Sequence, residues 1–438
     1  MRCVALFGTS GIRGVFGKEI TPELFLDIGK VLGSRYHRIV LGRDVRISSP
    51  LLARAFISGA LSSGASVCDG GVLSTPAVAF SAREYDCGAV VTASHNPPEY
   101  NGIKFWNSSG IAFDEQQQAE IEDALARHAF EGRPWDGVSA PVSREDLASK
   151  HADAIVKAIG HVELKVVVDC GCGSTSNITP YVLREIGCVV TSLNAQPDGH
   201  FPGRPPEPTE ENLVLLRKVV PGIGADLGLA HDGDGDRVVA VDEKGNYIGG
   251  EKLLPLLASR VAKKSAVVPI DSSMAVEDLL SNAKIWRTRV GDVYVAQEVQ
   301  RRKAEFGGEP SGTFIFPSWG MFPDGVYAAA YIASMAAEER LSTRVARLPS
   351  YPSLRCAFQF ESARRTEIVK ALDASLSATS GGEIDKTDGW RVRFDDGWGL
   401  VRLSGTEPKV RVLAEARSEA RTKEIYESLV SKVKAGLR

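Results

Sequence analysis

The chain alternates between apolar stripes at helical spacing and short solid apolar runs, the pattern of an α/β fold. Helical stripes fall over residues 21–36, 49–61 and 76–83, and apolar runs predict strands over 38–41, 66–68 and 88–91. A helix over 114–128 closes this unit. The next stretch, 131–141, carries Gly, Pro and an isolated Trp, breaks both periods and reads as a linker. The alternation restarts with helix 144–159, strand 165–169, helix 178–186 and strand 188–193. A proline-rich loop follows over 196–208, of a length that in compact domains is functional or disordered. Thr209 is placed to cap a helix over 210–219. A strand over 226–230 and a hairpin over 237–248, turning at Lys244-Gly245-Asn246, end this part. The third part reads as helix 251–262, strands 266–270, 284–290 and 314–316, and helix 324–339. A second linker is read over 344–352. The remainder has a different pattern. Strand 354–360, helix 364–376, short strands over 390–394, 400–403 and 410–414, and a closing helix make a small α+β unit. The expected division is 1–135, 143–248, 249–345 and 352–438.

Composition narrows the class. At 438 residues the chain exceeds one ordinary core, and 43% apolar with 24% charged residues is a water-soluble balance. No apolar run reaches the length of a membrane span, and the N-terminal run is too short for a secretion signal, so a cytoplasmic protein is expected. A net charge of -3 gives no overall pull toward nucleic acid or anionic lipid, so any anion must be held by a local site. The seven cysteines, odd in number and scattered in apolar runs, suit reduced core thiols, and Cys170-Gly-Cys172 lacks zinc spacing.

The candidate chemistry sits in four stretches. The apolar run 88–91 climbs to Ser94, where Asn96, Pro97 and Pro98 stop any regular element, so Ser94 lies at a strand's carboxyl end, the edge where α/β sheets bind ligands. A helix N-cap is the plain alternative, but the prolines block a helix there. Ser94 is read as a hydroxyl presented for phosphoryl transfer, with Lys104 returning on the next strand; Arg43 and Arg46 follow another strand and share this edge if the strands run parallel. Asp232, Asp234 and Asp236, spaced by glycines after a strand, put three mutually repelling carboxylates in one turn, which a hard divalent cation relieves, Mg2+ before Ca2+. The spacing imitates an EF-hand, but Arg237 stands where that loop needs glycine and the flanks read as strands. A metal-free acidic turn stays open at this point. Glu309 and Ser311, in Gly307-Gly-Glu-Pro-Ser-Gly-Thr313, suit the vicinal hydroxyls of a sugar, and suit an ordinary polar turn equally well. Arg402, Ser404, Gly405, Thr406 and Arg411 make an anion pocket of hydroxyls, backbone N–H groups and guanidiniums that matches a phosphate. The opening loop, Phe7-Gly-Thr-Ser-Gly-Ile-Arg13-Gly14, can bring one more arginine to a phosphate, or be only a tight turn.

Together Thr92-Ala-Ser94-His-Asn-Pro97 with Asn101-Gly-Ile-Lys104, Asp232-Gly-Asp-Gly-Asp-Arg237, Gly308-Glu-Pro-Ser-Gly312 and Arg402-Leu-Ser-Gly-Thr-Glu-Pro408 resemble the motifs of the α-D-phosphohexomutases, in order and over nearly the whole chain. The resemblance implies three related α/β domains plus a smaller C-terminal domain around a central cleft. It implies Ser94 as a phosphoserine, and Mg2+ held by Asp232, Asp234, Asp236 and a phosphoserine oxygen. Arg13, Lys104 and Arg237 would lie near the reacting phosphoryl group, Glu309 and Ser311 on sugar hydroxyls, and the 402–411 loop on the substrate's phosphate. The implied reaction interconverts hexose 6-phosphate and hexose 1-phosphate through a hexose 1,6-bisphosphate that turns round in the site. The expected partner is a small sugar phosphate, with no nucleic acid or membrane, in a monomer or homodimer.

Thr313 stands where many relatives carry histidine, which leaves Lys104 as the candidate base, and Pro310 matches neither well-marked subfamily. The stretches 287–292, 71–78 and 404–408 look more like phosphoglucosamine mutases than phosphomannomutases. The rivals are a phosphomannomutase/phosphoglucomutase, a sugar-phosphate sensor without turnover, and a phosphatase using Asp232 as nucleophile.

Overall fold

The computed structural model describes residues 6–8, 10–377, 382–404 and 408–437. The chain forms two compact units, residues 1–254 with 310–347, and 255–309 with 348–438.

The first unit carries two sheets. In one, the strands run in the order Phe7–Gly8, Gly11–Val15, Tyr100–Asn107, Cys87–Val91, Arg38–Arg43, Ser66–Val72 and Val142–Ser143. Strand Arg38–Arg43 lies parallel to Cys87–Val91, with Arg43 opposite Val91, so the loops after both strands emerge at one edge, as the sequence predicts. Strand Tyr100–Asn107 returns antiparallel and sets Lys104 opposite Val90. The last strand, Val142–Ser143, adds the residues just after the expected linker to this sheet. Helix Pro22–Arg35 starts where Thr21 accepts the Leu24 N–H and Pro22 fills the first turn, and it buries Phe25, Ile28, Val31 and Leu32 against the sheet's core. Helix Glu115–Ala126 opens with a capping box made by Asp114 and Gln117.

The second sheet has the order Tyr247–Ile248, Val238–Asp242, Leu227–His231, Lys165–Asp169 and Val189–Leu193. Strands Leu227–His231 and Val238–Asp242 are antiparallel neighbours, so residues 232–237 form the loop joining them, flanked by strands and not by the helices of an EF-hand. The helix expected at 210–219 begins differently. A 3-10 turn occupies Glu211–Leu213, the α-helix runs Val214–Gly222, and no side chain caps it. Asn212, which lacks the reach of a capping-box Glu or Gln, donates to the Glu207 carbonyl instead. The loop over 196–208 is ordered. Arg204 is buried in it and donates to the carbonyls of Pro205, Pro206 and His231.

The second unit holds a parallel arrangement of Lys284–Thr288, Ser265–Pro269 and Phe306–Gly308, and an antiparallel sheet. The antiparallel order is Ser353–Gln359, Lys409–Ala416, Gly397–Leu403, Trp390–Phe394 and Glu383–Asp385. Helices Arg365–Ser377 and Glu419–Leu437 cover it through Ile368, Leu372, Ile425 and Leu429. Helices Ala275–Leu279 and Asp292–Arg302 interrupt a stretch for which the sequence pattern predicts no helix. The second of them buries only Val293, Val295, Ala296 and Val299 among Gln, Glu and Arg, a face too narrow to stand out. In the first unit, helix Leu341–Ala346 takes up the start of the second expected linker.

Among the described residues the six cysteines are free thiols, five of them buried. No described helix is long and apolar enough to cross a membrane.

Candidate active site

Ser94 follows strand Cys87–Val91 and takes φ 53°, a left-handed conformation that a serine holds only against strain. The strain is held by a buried network around Asp44 and Arg46. Asp44 accepts from Ser49 Oγ (2.6 Å), Thr92 Oγ1 (2.8 Å) and Arg46 Nε (2.9 Å), and Thr92 Oγ1 in turn accepts the Ser94 N–H at 2.9 Å. Arg46 is fully buried and uses all five of its N–H donors. Beyond Asp44, Nη1 donates to the carbonyls of Pro97 (2.5 Å) and Tyr100 (3.0 Å), and Nη2 to those of Ser94 (3.0 Å) and Asn96 (2.6 Å). The sequence pattern puts Arg46 on the same sheet edge as Ser94 and leaves its partner open. Its guanidinium is consumed in gripping the 94–100 loop from behind, with the Phe201 ring of the 196–208 loop 5.2 Å from it.

The hydroxyl so placed donates from Ser94 Oγ to Asp232 Oδ2 at 2.7 Å. The two loops meet backbone to backbone: a Cβ on Gly233 would lie 2.6 Å from the Ser94 carbonyl oxygen, so only glycine admits this approach. Gly235, at φ 78°, lets the acidic loop turn back on itself, and Asp232 Oδ1 accepts the N–H groups of Gly235 and Arg237. The ends of the loop are tied by His231. Its Nδ1 donates to the Arg237 carbonyl at 2.9 Å, which leaves Nε2 to accept from Thr179 Oγ1. Burial pushes this imidazole down to about 4, so it stays neutral in the role.

Ligand atoms of Asp232, Asp234 and Asp236 lie within 4.8 Å of one another, and all three residues are buried. Burial and the charges of Asp234 and Asp236 raise the Asp232 carboxyl well above the usual range. Asp234 goes the other way. Its burial is outweighed by the Lys104 ammonium and the Thr75 hydroxyl, which hold it low. Lys104 Nζ donates to Asp234 Oδ2 (2.9 Å) and Asp236 Oδ2 (2.6 Å), and Thr75 Oγ1 donates to Asp234 Oδ2 (2.6 Å). The second oxygens, Asp234 Oδ1 and Asp236 Oδ1, are buried acceptors without a hydrogen-bond partner. Two orphaned carboxylate oxygens beside a third carboxylate suit a hard cation with oxygen ligands, so the triad fits a metal ion.

Cations surround the serine. Arg13 Nη1 donates to Asn96 Oδ1 at 3.3 Å, and Arg237 Nη1 lies 3.8 Å from Glu207 Oε1. His95 registers their field: burial first, then the Arg237 and Arg13 charges, lower its imidazole to about 2. Ser94, Asp232, Asp234, Asp236, Lys104, Arg13 and Arg237 are thus gathered in the first unit. Ser311 is there as well, its Oγ 3.2 Å from Thr313 Oγ1. In the second unit, buried Glu309 accepts the Gly291 N–H at 2.7 Å, and Arg402 Nε donates to Asp388 at 2.6 Å. Arg402 and Arg411 face each other across antiparallel strands, and buried Ser404 follows Arg402's strand. Gly405 and Thr406 lie outside the described residues.

Sequence reasoning missed Asp44, the role of Arg46, Thr75 and Asp388. The Gly-Arg-Asp-x-Arg run after a strand was the only local signal for the first two.

A strained serine hydroxyl, a three-carboxylate cage and a ring of cations are the equipment of a phosphoryl-transfer enzyme. Four family models cover the chain in order: phosphoglucomutase/phosphomannomutase α/β/α domain I at residues 4–132, domain II at 145–245, domain III at 249–351 and the C-terminal domain at 359–432. A probable phosphoglucosamine mutase of Methanosarcina acetivorans is 48% identical over 99% of this chain and 100% of its own length. A phosphoglucomutase/phosphomannomutase of Thermococcus kodakarensis is 40% identical over 96% and 97%. Among solved structures, a phosphoglucomutase/phosphomannomutase family protein from Burkholderia thailandensis superposes with a TM-score of 0.88 at 28% identity, covering 99% of this chain and 97% of that one. The chain belongs to the phosphoglucomutase/phosphomannomutase family, and it is an isomerase-class enzyme, a phosphohexomutase with three α/β/α domains and a C-terminal domain.

Proposed function

We propose that this phosphohexomutase interconverts glucosamine 6-phosphate and glucosamine 1-phosphate through a phosphorylated Ser94 and a glucosamine 1,6-bisphosphate. The observation that carries the mechanism is the 2.7 Å hydrogen bond from Ser94 Oγ to Asp232, beside the orphaned oxygens of Asp234 and Asp236. The sugar assignment is supported by the names of relatives at 46–50% identity, all probable phosphoglucosamine mutases. The second reading is a phosphomannomutase/phosphoglucomutase, favoured by the 40% identical Thermococcus relative of that name.

Asp232, Asp234 and Asp236 would hold Mg2+ with an oxygen of the phosphorylated serine; bound there, the ion offsets charge on the phosphoryl oxygens. In the first half-reaction the bond from phosphorus to Ser94 Oγ breaks, and a bond forms from phosphorus to the free hydroxyl of the sugar phosphate. That hydroxyl's proton is taken by Lys104 in its amine form and relayed to the Ser94 Oγ that the phosphoryl group leaves, so that Lys104 ends the half-reaction unchanged. The bisphosphate turns round, its other phosphoryl group returns to Ser94 Oγ, and the proton travels back to the sugar oxygen left behind. Arg13 and Arg237 stabilise charge on the transferring group. Glu309 and Ser311 read hydroxyls presented in both orientations, and Arg402, Ser404, Gly405, Thr406 and Arg411 hold whichever phosphate is distal. In this scheme residues 1–135 carry the phosphoserine, 143–248 the metal, 249–345 the sugar readers and 352–438 the phosphate anchor.

The test is turnover of the purified protein on glucosamine 6-phosphate, mannose 1-phosphate and glucose 1-phosphate, with labelled bisphosphate used to find the phosphorylated residue. The expected result is preference for the amino sugar and label on Ser94. Preference for the neutral sugars overturns the substrate assignment, and label on Asp232 overturns the mechanism.

A further inference from the structure

Asp388 sits in the turn between strands Glu383–Asp385 and Trp390–Phe394, followed by Gly389 at φ 89°. A Cβ on Gly389 would lie 2.3 Å from the Val401 carbonyl oxygen, so the turn is pressed against the strand that carries Arg402. One oxygen of Asp388, Oδ2, accepts two hydrogen bonds: from Arg402 Nε at 2.6 Å and from the Val290 N–H at 3.0 Å. The next amide along, Gly291 N–H, donates to Glu309 Oε1 at 2.7 Å, and Gly291 holds φ 139°. A short, nearly continuous path therefore runs from Arg402 through Asp388 and the 290–291 backbone to Glu309. Every member belongs to the same compact unit. Asp388 engages the guanidinium through Nε, which restrains its plane and leaves the Nη groups outside this bond. The contact is well shielded, with the side chains of Arg402 and Asp388 13% and 19% exposed.

The proposed reaction makes a particular demand on these groups. The bisphosphate must be bound in two orientations, and in each the distal phosphate and the ring hydroxyls have to meet their partners at one spacing. An arginine and a glutamate on independent elements would satisfy this only by chance. A carboxylate shared between the arginine and the glutamate's backbone donor keeps the spacing fixed.

We propose that Asp388 is a positioning residue that couples capture of the distal phosphate at Arg402 to recognition of the sugar at Glu309. The inference rests on the functional reading given above for those two residues. Asp388→Asn keeps the shape of the side chain and an oxygen that can meet both donors, and removes the charge that strengthens the two bonds. Steady-state kinetics on glucosamine 6-phosphate would be measured for the full-length wild type, Asp388→Asn, Arg402→Ala, Glu309→Gln and the Asp388→Asn doubles with each. A hydrogen bond to a charged group of this kind corresponds to about tenfold or more in binding. The expected result for Asp388→Asn is a KM raised about tenfold with kcat within a few-fold of wild type. In the Arg402→Ala and Glu309→Gln backgrounds the same change should have much less effect, because the coupled partner is already gone.

A KM unchanged by Asp388→Asn, with only a lower melting temperature or yield, means a merely structural residue and overturns the proposal, since KM does not depend on how much enzyme is folded. Effects that simply multiply in both doubles overturn it as well. Should the wild type convert no hexose phosphate, the functional reading falls separately, and calorimetric binding of glucosamine 6-phosphate to the same six proteins decides the coupling by the same pattern.

Discussion

Replacing Arg46 by lysine tests how the strained serine is held. Arginine meets five acceptor contacts from a buried position: Asp44 and the carbonyls of Ser94, Asn96, Pro97 and Tyr100. Lysine keeps the charge next to Asp44 but offers three donors from one atom, so at least two of these contacts are lost. Each deserted acceptor costs about 1–3 kcal/mol, which puts about 2–6 kcal/mol behind a rearrangement of the 94–100 loop. The left-handed conformation of Ser94 stores about 1–3 kcal/mol, which the same rearrangement would release. Both terms favour a rearranged loop over the one that sets Ser94 Oγ 2.7 Å from Asp232. A displacement of the reacting oxygen by about 1 Å is enough for about 100-fold in rate. The expected outcome is therefore a kcat about 100-fold down, with KM for the sugar phosphate within a few-fold, because Glu309 and the 402–411 stretch belong to the other compact unit. A coupled assay for glucosamine 1-phosphate and a thermal melt on the same preparation check it. A variant with wild-type kcat, or one whose loss lies in KM, would refute the claim that Arg46 sets the position of Ser94.

Gly233→Ala brings a Cβ to 2.6 Å from the Ser94 carbonyl and should lower kcat at least tenfold without loss of helix signal; full activity would mean the two loops can separate freely. Chelation with EDTA should abolish turnover and lower the melting temperature, with both restored by Mg2+, since a ligand at about 100 times its Kd adds about 2.7 kcal/mol to stability. Asp234→Asn should blunt the Mg2+ response of the melt, and an unaltered response would remove Asp234 from the ligand set. Asp324 gives a pH prediction. Burial works to raise its carboxyl, but its partner His151 at 2.7 Å and the Tyr327 N–H and Trp319 indole donors hold it below the ordinary 3.8. A folded pKa below the unfolded one stabilises the protein fully above the unfolded value and less as pH falls through the folded value. Asp324→Asn should therefore lose less of its melting temperature than wild type on acidification below about pH 4; parallel losses would show that this carboxylate is not what fails in acid.

Much of the site was legible in the sequence because its chemistry is local. Three aspartates alternate with glycines in one loop, and a serine follows an apolar run and precedes two prolines, so strand ends and reactive groups could be read within a few residues. The same holds for strand Lys165–Asp169 and strand Trp390–Phe394, whose apolar runs carry their own boundaries. The helix Asp292–Arg302 was lost because its buried face is narrow, and strand Phe306–Gly308 because two of its three residues are glycines. Neither segment carries much preference of its own, and parallel pairing with Ser265–Pro269 is what makes a strand of the second.

The sequence by itself determined the α/β alternation, the order of the four motifs and which groups are candidates to handle phosphate. Only the tertiary structure decided what those groups do to each other. Thr75 reaches Asp234 from 159 positions away, and Lys104 reaches the same carboxylate from 130. Arg46 turns from the ligand edge to four backbone carbonyls, and Asp388 joins two stretches that no spacing connects. The physical reason is that a charged side chain buried without a partner is too costly to keep, and its partner is chosen by the folded path of the chain, which no local period records.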